Sequence, residues 1–376
     1  MSSYVDIIIL GLLVFPLLAA LLTFPYALVQ YHRYGSVSRL RTLVVYSFVL
    51  YLLIAYFLVT LPLPDPESTV GNRWQDHLSL VPFGGIRIWW AGQQVNATTM
   101  RGFARSFALW QVLFNVLLTV PFGVYLRYYF KQGLWRTVAL TLVLSLFFEL
   151  TQLSALYGIC PGPYRLAATE DLITNTLGGV LGWQIAYVFM LVLPNRDAID
   201  AHSREAGRTV TGKRRFWAAL FDFMACDVLF FFMRGALYEA LPVATGLLDR
   251  GWGVWTLLCA ASLLQVLVTR GMTLGHAICR MTLVSKDGRP ARWWRLIWRY
   301  VLLWLLTEGP LVAVIWLTES PYAGNLSRYV LLGLMLTPAL YPCAYFLNEF
   351  LRGGAHPMPH DTLSGTRYAA IEVTAD

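Results

Sequence analysis

The chain has 376 residues, 57% hydrophobic and 13% charged, against about 25% charged in ordinary soluble domains. With a mean hydropathy of +0.56 it has too little polar surface to stay dispersed in water. That excludes a soluble enzyme, a disulfide scaffold, a coiled coil and a disordered chain, and leaves an integral membrane protein.

A bilayer-crossing helix needs roughly 20 mostly apolar residues, because lipid offers no water to satisfy bare backbone. Nine runs qualify in chain order: 4–31, 42–61, 109–130, 134–156, 171–193, 216–241, 252–269, 296–317 and 329–350. The first opens with Asp6 and no basic residue ahead of it, so it reads as a retained span and not a cleaved signal. Pro338 and Pro342 interrupt the last. The expectation is an all-α fold: a polytopic transmembrane helical bundle of about nine spans in two modules. With the amino terminus outside and the carboxyl terminus inside, basic residues favour the cytoplasmic loops by roughly three to one, as the positive-inside rule requires.

Insertion and anionic headgroups also explain the net charge of +8, so nucleic acid is not an expected partner. Residues 1–193 read as a membrane domain of about five spans and 194–212 as a charged, flexible cytoplasmic linker. Residues 213–350 then form a second membrane domain of about four spans, and 351–376 a cytoplasmic tail. The outer segment 62–108, with Ile86-Arg87-Ile88-Trp89-Trp90 and Arg101-Gly102-Phe103, suits contact with outer headgroups more than a folded domain. Cys160, Cys226, Cys259, Cys279 and Cys343 show no CxxC spacing, which argues against a disulfide framework or zinc site. No metal-ligand grouping or cofactor is expected. The sequons at Asn96 and Asn325 fall in predicted outer loops.

Polar residues inside bilayer helices are costly and are therefore functional candidates. In the first domain these are Asn115 on the third span, and Glu149 and Gln152 on one face of the fourth. Arg165 and Glu170 follow in the connecting loop, and Asp171 and Asn175 at the start of the fifth span. Gly178-Gly179 beyond them permits close helix approach. The set converges at the outer end of the bundle as a ligand-binding group, with Glu149 and Asp171 the candidates for proton exchange. The competing structural reading has Arg165 neutralising Glu149 or Asp171, and Asp171 capping its helix. Asn72 with Val81-Pro82-Phe83, FNVLLTVPFG, FFELTQL, Arg165 and DLITNTLGG, in that order, resemble the VanZ-like family over roughly residues 44–193. That resemblance implies a small multi-span bacterial membrane module, its namesake associated with teicoplanin resistance. The family tends to carry an aspartate where Ala168 stands, and Glu170 replaces another.

In the second domain Arg215 precedes the sixth span, Asp222 lies two turns inside it, and Asp227 and Arg234 lie deeper. Gln265 and Glu308 are possible partners on neighbouring spans. Two readings stand: Asp222 or Asp227 as a proton or sodium site, or both as interhelical locks paired with arginines. Arg215, Asp222 and the block GMTLGHAICRMTLVSKDGRP resemble the RDD family over about residues 214–317. The family is named for one arginine and two aspartates; the second is Asp287 or Asp227, and His276 stands where lysine is more usual. Some members have been proposed to transport ions, so the resemblance implies an ion pathway through Arg215, Asp222, Asp227 and Asp287.

The functional expectation is a bacterial plasma-membrane protein in contact with membrane lipids. It would act at the outer leaflet on a lipid-linked envelope intermediate or a glycopeptide, with a contribution to teicoplanin-type resistance. An ion (H+ or Na+) transporter through the second half and an envelope lipid-modifying enzyme are the alternatives.

Overall fold

The computed structural model describes residues 4–83, 107–240, 252–307, 310, 340–341, 343–344 and 357–371. It is mostly helical and divides into two compact units, the first Met1–Thr23 with Ser38–Ile199, the second Phe24–Val37 with Asp200–Asp376. Among the described residues five helices are long and apolar enough to cross a membrane: Tyr4–Tyr34, Arg39–Thr60, Leu109–Tyr128, Leu134–Leu153 and Thr169–Val192.

Unit 1 is built on the first part of α1 (Tyr4–Tyr34), whose end belongs to unit 2, and on α2 (Arg39–Thr60), α3 (Phe107–Tyr128), α4 (Leu134–Leu153) and α5 (Thr169–Val192). Ser38 starts α2 by accepting a hydrogen bond from the Arg41 amide, the usual way to satisfy an orphan N–H at a helix start. Helices α3 and α5 touch along their backbones. A Cβ on Gly182 would stand 1.9 Å from the Val120 carbonyl oxygen, and one on Gly178 2.2 Å from that of Val116. Without a hydrophobic drive between helices in lipid, such small-residue seams let packing hold them together. Thr119, Thr137, Thr141 and Ser145 are fully buried; Thr137 and Thr141 donate to carbonyls one turn back, which removes their polar cost.

The first residues of segment 62–108 are locally structured. Pro66–Thr69 and Trp74–His77 are 3-10 turns, and β1 (Leu78–Ser79) pairs in parallel with β2 (Ala167–Ala168). Asn72 Nδ2 donates to the Pro163 carbonyl at 2.8 Å. The fold is therefore not purely α: local backbone donors here find partners in another loop. Ile86–Trp90, Arg101–Phe103, both sequons and most of 329–350 lie outside the described residues.

The 194–212 stretch is not a flexible connector either. It contains α6 (Arg196–Gly207), started by Asn195, whose Oδ1 accepts from the Ala198 amide at 2.8 Å. Ile199 and Ser203 are buried on one side, a spacing of four that composition alone obscured under the charges of the exposed side. Lys131 pairs with Asp197 at 2.5 Å in unit 1, and Ser36 donates to the Ser203 carbonyl in unit 2.

Unit 2 contains α7 (Gly212–Ala240), α8 (Trp252–Val268), the short α9 (Leu274–Ile278), β3 (Met281–Ser285), α10 (Trp293–Thr307), α11 (Pro359–Ser364) and β4 (Thr366–Ala370). Strand β3 pairs antiparallel with β4, from Met281↔Ala370 to Ser285↔Thr366. Its alternate residues Met281, Leu283 and Ser285 are buried, as a half-covered strand requires. The core gathers Ala218, Cys279 and Met281, and beside it Val266, Leu283 and Leu296. Within the carboxyl-terminal stretch, expected as a cytoplasmic tail, residues 357–371 pack into the unit through α11 and β4.

Candidate functional site

In unit 1 helices α3, α4 and α5 bring their polar residues together. Asn115 Nδ2 donates to Asp171 Oδ1 at 2.6 Å, and Asn175 Nδ2 to Ser145 Oγ at 2.8 Å. Thr119 Oγ1 donates to the Asn175 carbonyl at 2.6 Å. Ser145 and Glu149 are four apart on α4, Asp171 and Asn175 four apart on α5, so each pair shares a helix face. Asn175 is 3% exposed, and its Oδ1 is buried without a hydrogen-bond partner. An orphan acceptor of this kind costs roughly 1–3 kcal/mol.

Glu149 does not pair with Arg165. Its Oε2 accepts from the Ala168 amide at 3.0 Å, and Ala168 is the N-cap position of α5, with no side-chain cap of its own. A carboxylate from α4 therefore satisfies the start of α5, where negative charge is favoured by the helix dipole. The expectation that Asp171 caps its own helix is replaced by its bond to Asn115. Glu170 stands half-buried in the first turn of α5.

Arg165 departs from its expected role as holder of an anionic group. Its Nη1 donates to the Val59 carbonyl at 2.8 Å and its Nη2 to that of Leu61 at 2.6 Å. Tyr164 Oη donates to Thr60 O at 2.7 Å, and Gln152 Nε2 to Val59 O at 3.0 Å. The last carbonyls of α2 have no helical partners, and a cation beside a helix carboxyl end is favourable. Gln152, Tyr164 and Arg165 thus form one cap on α2. The chain reaches that cap through a left-handed turn, with Ala155, Leu156 and Tyr157 all at φ between 53° and 58°. Each non-glycine residue there costs about 1–2 kcal/mol.

Unit 2 contains a half-open cavity of about 470 Å³. Apolar side chains such as Phe216, Leu220, Phe223 and Leu303 line most of it, and a charged network closes one end. Asp361 accepts from Arg215 at 3.2 Å and from Arg299. Arg299 also donates to Thr366 Oγ1, His360 Nε2 and Tyr368 Oη, and Tyr341 Oη meets His360 Nδ1 at 2.6 Å. Burial alone would raise Asp361, but the guanidiniums of Arg299 and Arg215 override it and hold the carboxyl at about 2. Burial first, then Arg299, pushes His360 down to about 3. His276 falls to about 3 for the same two reasons.

The four residues expected to form an ion pathway do not converge. Only Arg215 and Asp222 border the cavity. Asp222 Oδ2 accepts from Thr273 Oγ1 and its Oδ1 from the Gly275 amide, both at 2.6 Å. It is a lock on the turn before α9, and its partners are not arginines. Gln265 Oε1 helps by accepting from the Leu274 amide at 2.8 Å. Asp227, five residues on and so about 140° round the helix, is exposed. Asp287 is exposed in the β3 turn, where it accepts from the Arg289 amide. Glu308 and the side chain of Arg234 lie outside the described residues. His276, in place of a lysine, completes a capping box with Thr273, a role that a buried neutral imidazole can fill.

Sequence reasoning missed Arg299, Tyr341, His360, Asp361 and Tyr368. In the sequence Arg299 is one of several basic residues around the start of the eighth run, Tyr341 lies in the ninth, and His360, Asp361 and Tyr368 lie in the tail. A usable signal existed in Pro359 at the first turn of α11, Gly365 after it (φ 65°) and a strand-like run from Thr366.

Two helical units, each wrapped about buried polar side chains and carrying apolar helices, define a polytopic α-helical membrane protein. Residues 48–191 match the VanZ/LLP1 family and residues 210–352 match the RDD family. The chain is a VanZ-like domain fused to a carboxyl-terminal RDD-family domain. No curated protein and no solved structure matches it. His360, Asp361 and Tyr368 fall beyond the matched RDD stretch.

Proposed function

We propose that the protein works in a bacterial plasma membrane as a nine-span bundle, amino terminus outside and carboxyl terminus inside. In this reading its VanZ-like domain engages a cell-envelope ligand at the outer ends of α3, α4 and α5. The observation that supports this is the buried group of Asn115, Ser145, Glu149, Asp171 and Asn175, drawn from three helices and leaving Asn175 Oδ1 without a donor. A ligand N–H or O–H satisfies that oxygen, and the neighbouring carboxyl groups give or take a proton. Arg165 and Gln152 contribute by fixing the end of α2 over the cluster. A lipid-linked wall intermediate or a teicoplanin-type glycopeptide supplies such donors on an acyl anchor. The test compares teicoplanin susceptibility of a gene deletion, Glu149→Gln and Asn175→Leu with the parent strain. Increased susceptibility in all three is expected. Unchanged susceptibility across the three strains overturns the role.

A further inference from the structure

We infer that the cavity of the RDD-family domain is a binding chamber for a single-chain anionic amphiphile, its chain along the apolar walls and its head at Tyr341, Tyr368 and Arg215. At about 470 Å³ the cavity is of ligand size, since small-molecule sites run at roughly 300–1,000 Å³ with mostly apolar linings and a few placed polar groups.

The direction of the hydrogen bonds at the polar end selects the head. An arginine has only donors, so His360 Nε2, 3.1 Å from Arg299 Nη2, must accept. The single ring proton of the neutral imidazole is therefore on Nδ1, pointing at Tyr341 Oη 2.6 Å away. Tyr341 accepts that proton and turns its own hydrogen elsewhere. Tyr368 Oη likewise accepts from Arg299 Nη2 at 2.8 Å, which directs its hydrogen away from the arginine. Both phenols line the cavity.

Charge points the same way. Arg215 and Arg299 both bond the carboxylate of Asp361, and the Arg215 guanidinium lies 4.6 Å over the Tyr368 ring. Among the described wall residues, Asp222 has both oxygens turned to Thr273 and Gly275. A head entering here meets O–H donors and positive charge. An oxyacid anion is stabilised by both; an ammonium is opposed by both. Fatty carboxylates and phosphate-headed single-chain lipids share this chemistry.

The test uses the full-length protein in phosphatidylcholine nanodiscs with cis-parinaric acid, a fluorescent fatty acid, as the probe. Saturable enhancement over empty nanodiscs is expected, reversed by dodecanoate and by dodecyl phosphate but not by dodecylamine. The stronger of the two anions names the head. Tyr341→Phe removes one donor and should weaken binding about tenfold, as expected for a hydrogen bond to a charged group. Leu220→Trp fills the chamber and should abolish binding, with Phe223→Trp as its substitute if that variant does not fold. No saturable enhancement, equal displacement by dodecylamine, or wild-type affinity in folded Tyr341→Phe and chamber-filling variants would overturn the assignment. Susceptibility to teicoplanin plays no part in this test, so its result stands apart from that of the VanZ-like domain.

Discussion

Gly275 has no room for a side chain: a Cβ would stand 2.0 Å from the Ala218 carbonyl oxygen and 3.0 Å from Asp222 Cγ. The Thr-Leu-Gly turn is thereby explained as a docking surface, with Thr273 and the Gly275 amide presented to one aspartate of α7. Gly275→Ala must push two backbones apart, and a loss of roughly 1–3 kcal/mol is expected as for other overpacked sites, read as a lower midpoint of thermal unfolding in detergent. Asp222→Ala leaves a buried N–H and O–H without an acceptor, at a cost of roughly 1–3 kcal/mol. Asp222→Asn keeps an acceptor oxygen and should lose less. An ion-carrying aspartate would behave differently, with Asp222→Asn abolishing flux at unchanged stability. In the other domain Arg165→Gln removes the cation from the end of α2, and about 0.3–1 kcal/mol of stability should go with it.

The pairing of α11 and β4 with α10 and β3 contains the buried Arg299–Asp361 ion pair. Asp361 is 1% exposed and Arg299 2%, so Asp361→Ala strands a buried guanidinium. Breaking one partner out of such a pair costs roughly 3–5 kcal/mol, enough for unit 2 to lose its cooperative unfolding transition. The same segment should respond to acid. His360 is held at about 3 against an ordinary 6.5, so below pH 6.5 the undocked chain takes up a proton that the docked chain refuses. Docking therefore weakens steadily from pH 6.5 towards about 3. Asp361, held at about 2 against 3.8, contributes its full share above pH 3.8 and loses it as the pH falls towards 2. Hydrogen exchange at 366–370 should accelerate as the pH falls from 7 to 5 after correction for intrinsic rates. A constant protection factor over that interval would show that His360 does not hold the segment.

Across the whole chain the proposed topology makes a direct prediction. Alkaline phosphatase fused after Ser79 should be active, and fused after Ser203 or at the carboxyl terminus inactive, because that enzyme folds only outside the cytoplasm where its disulfides form. Activity at Ser203 would reverse the orientation derived from the basic residues. Of the nine apolar runs read from the sequence, the first five correspond to the helices long and apolar enough to span. In the second domain α7 is interrupted by charge from Arg214 to Asp227, and the last two runs together lie largely outside the described residues. Polar residues were legible as candidates because their presence in a bilayer helix is itself unusual. Their partners were not: Arg165 looked equally suited to a carboxylate or a helix end, and the carbonyls it holds belong to residues about a hundred positions earlier.

Membrane class, helical spans and the two-domain division follow from composition and from runs of neighbouring residues, because hydropathy and helix formation are local properties. The bonding of each buried charge is not local. Arg299 reads as one more basic residue at a span start until Asp361, 62 residues later, folds back against it. Glu149 reads as an acid until the start of α5 presents the Ala168 amide. Burial makes an unpaired charge or amide so costly that each must find a partner, and which partner it finds depends on how distant segments pack.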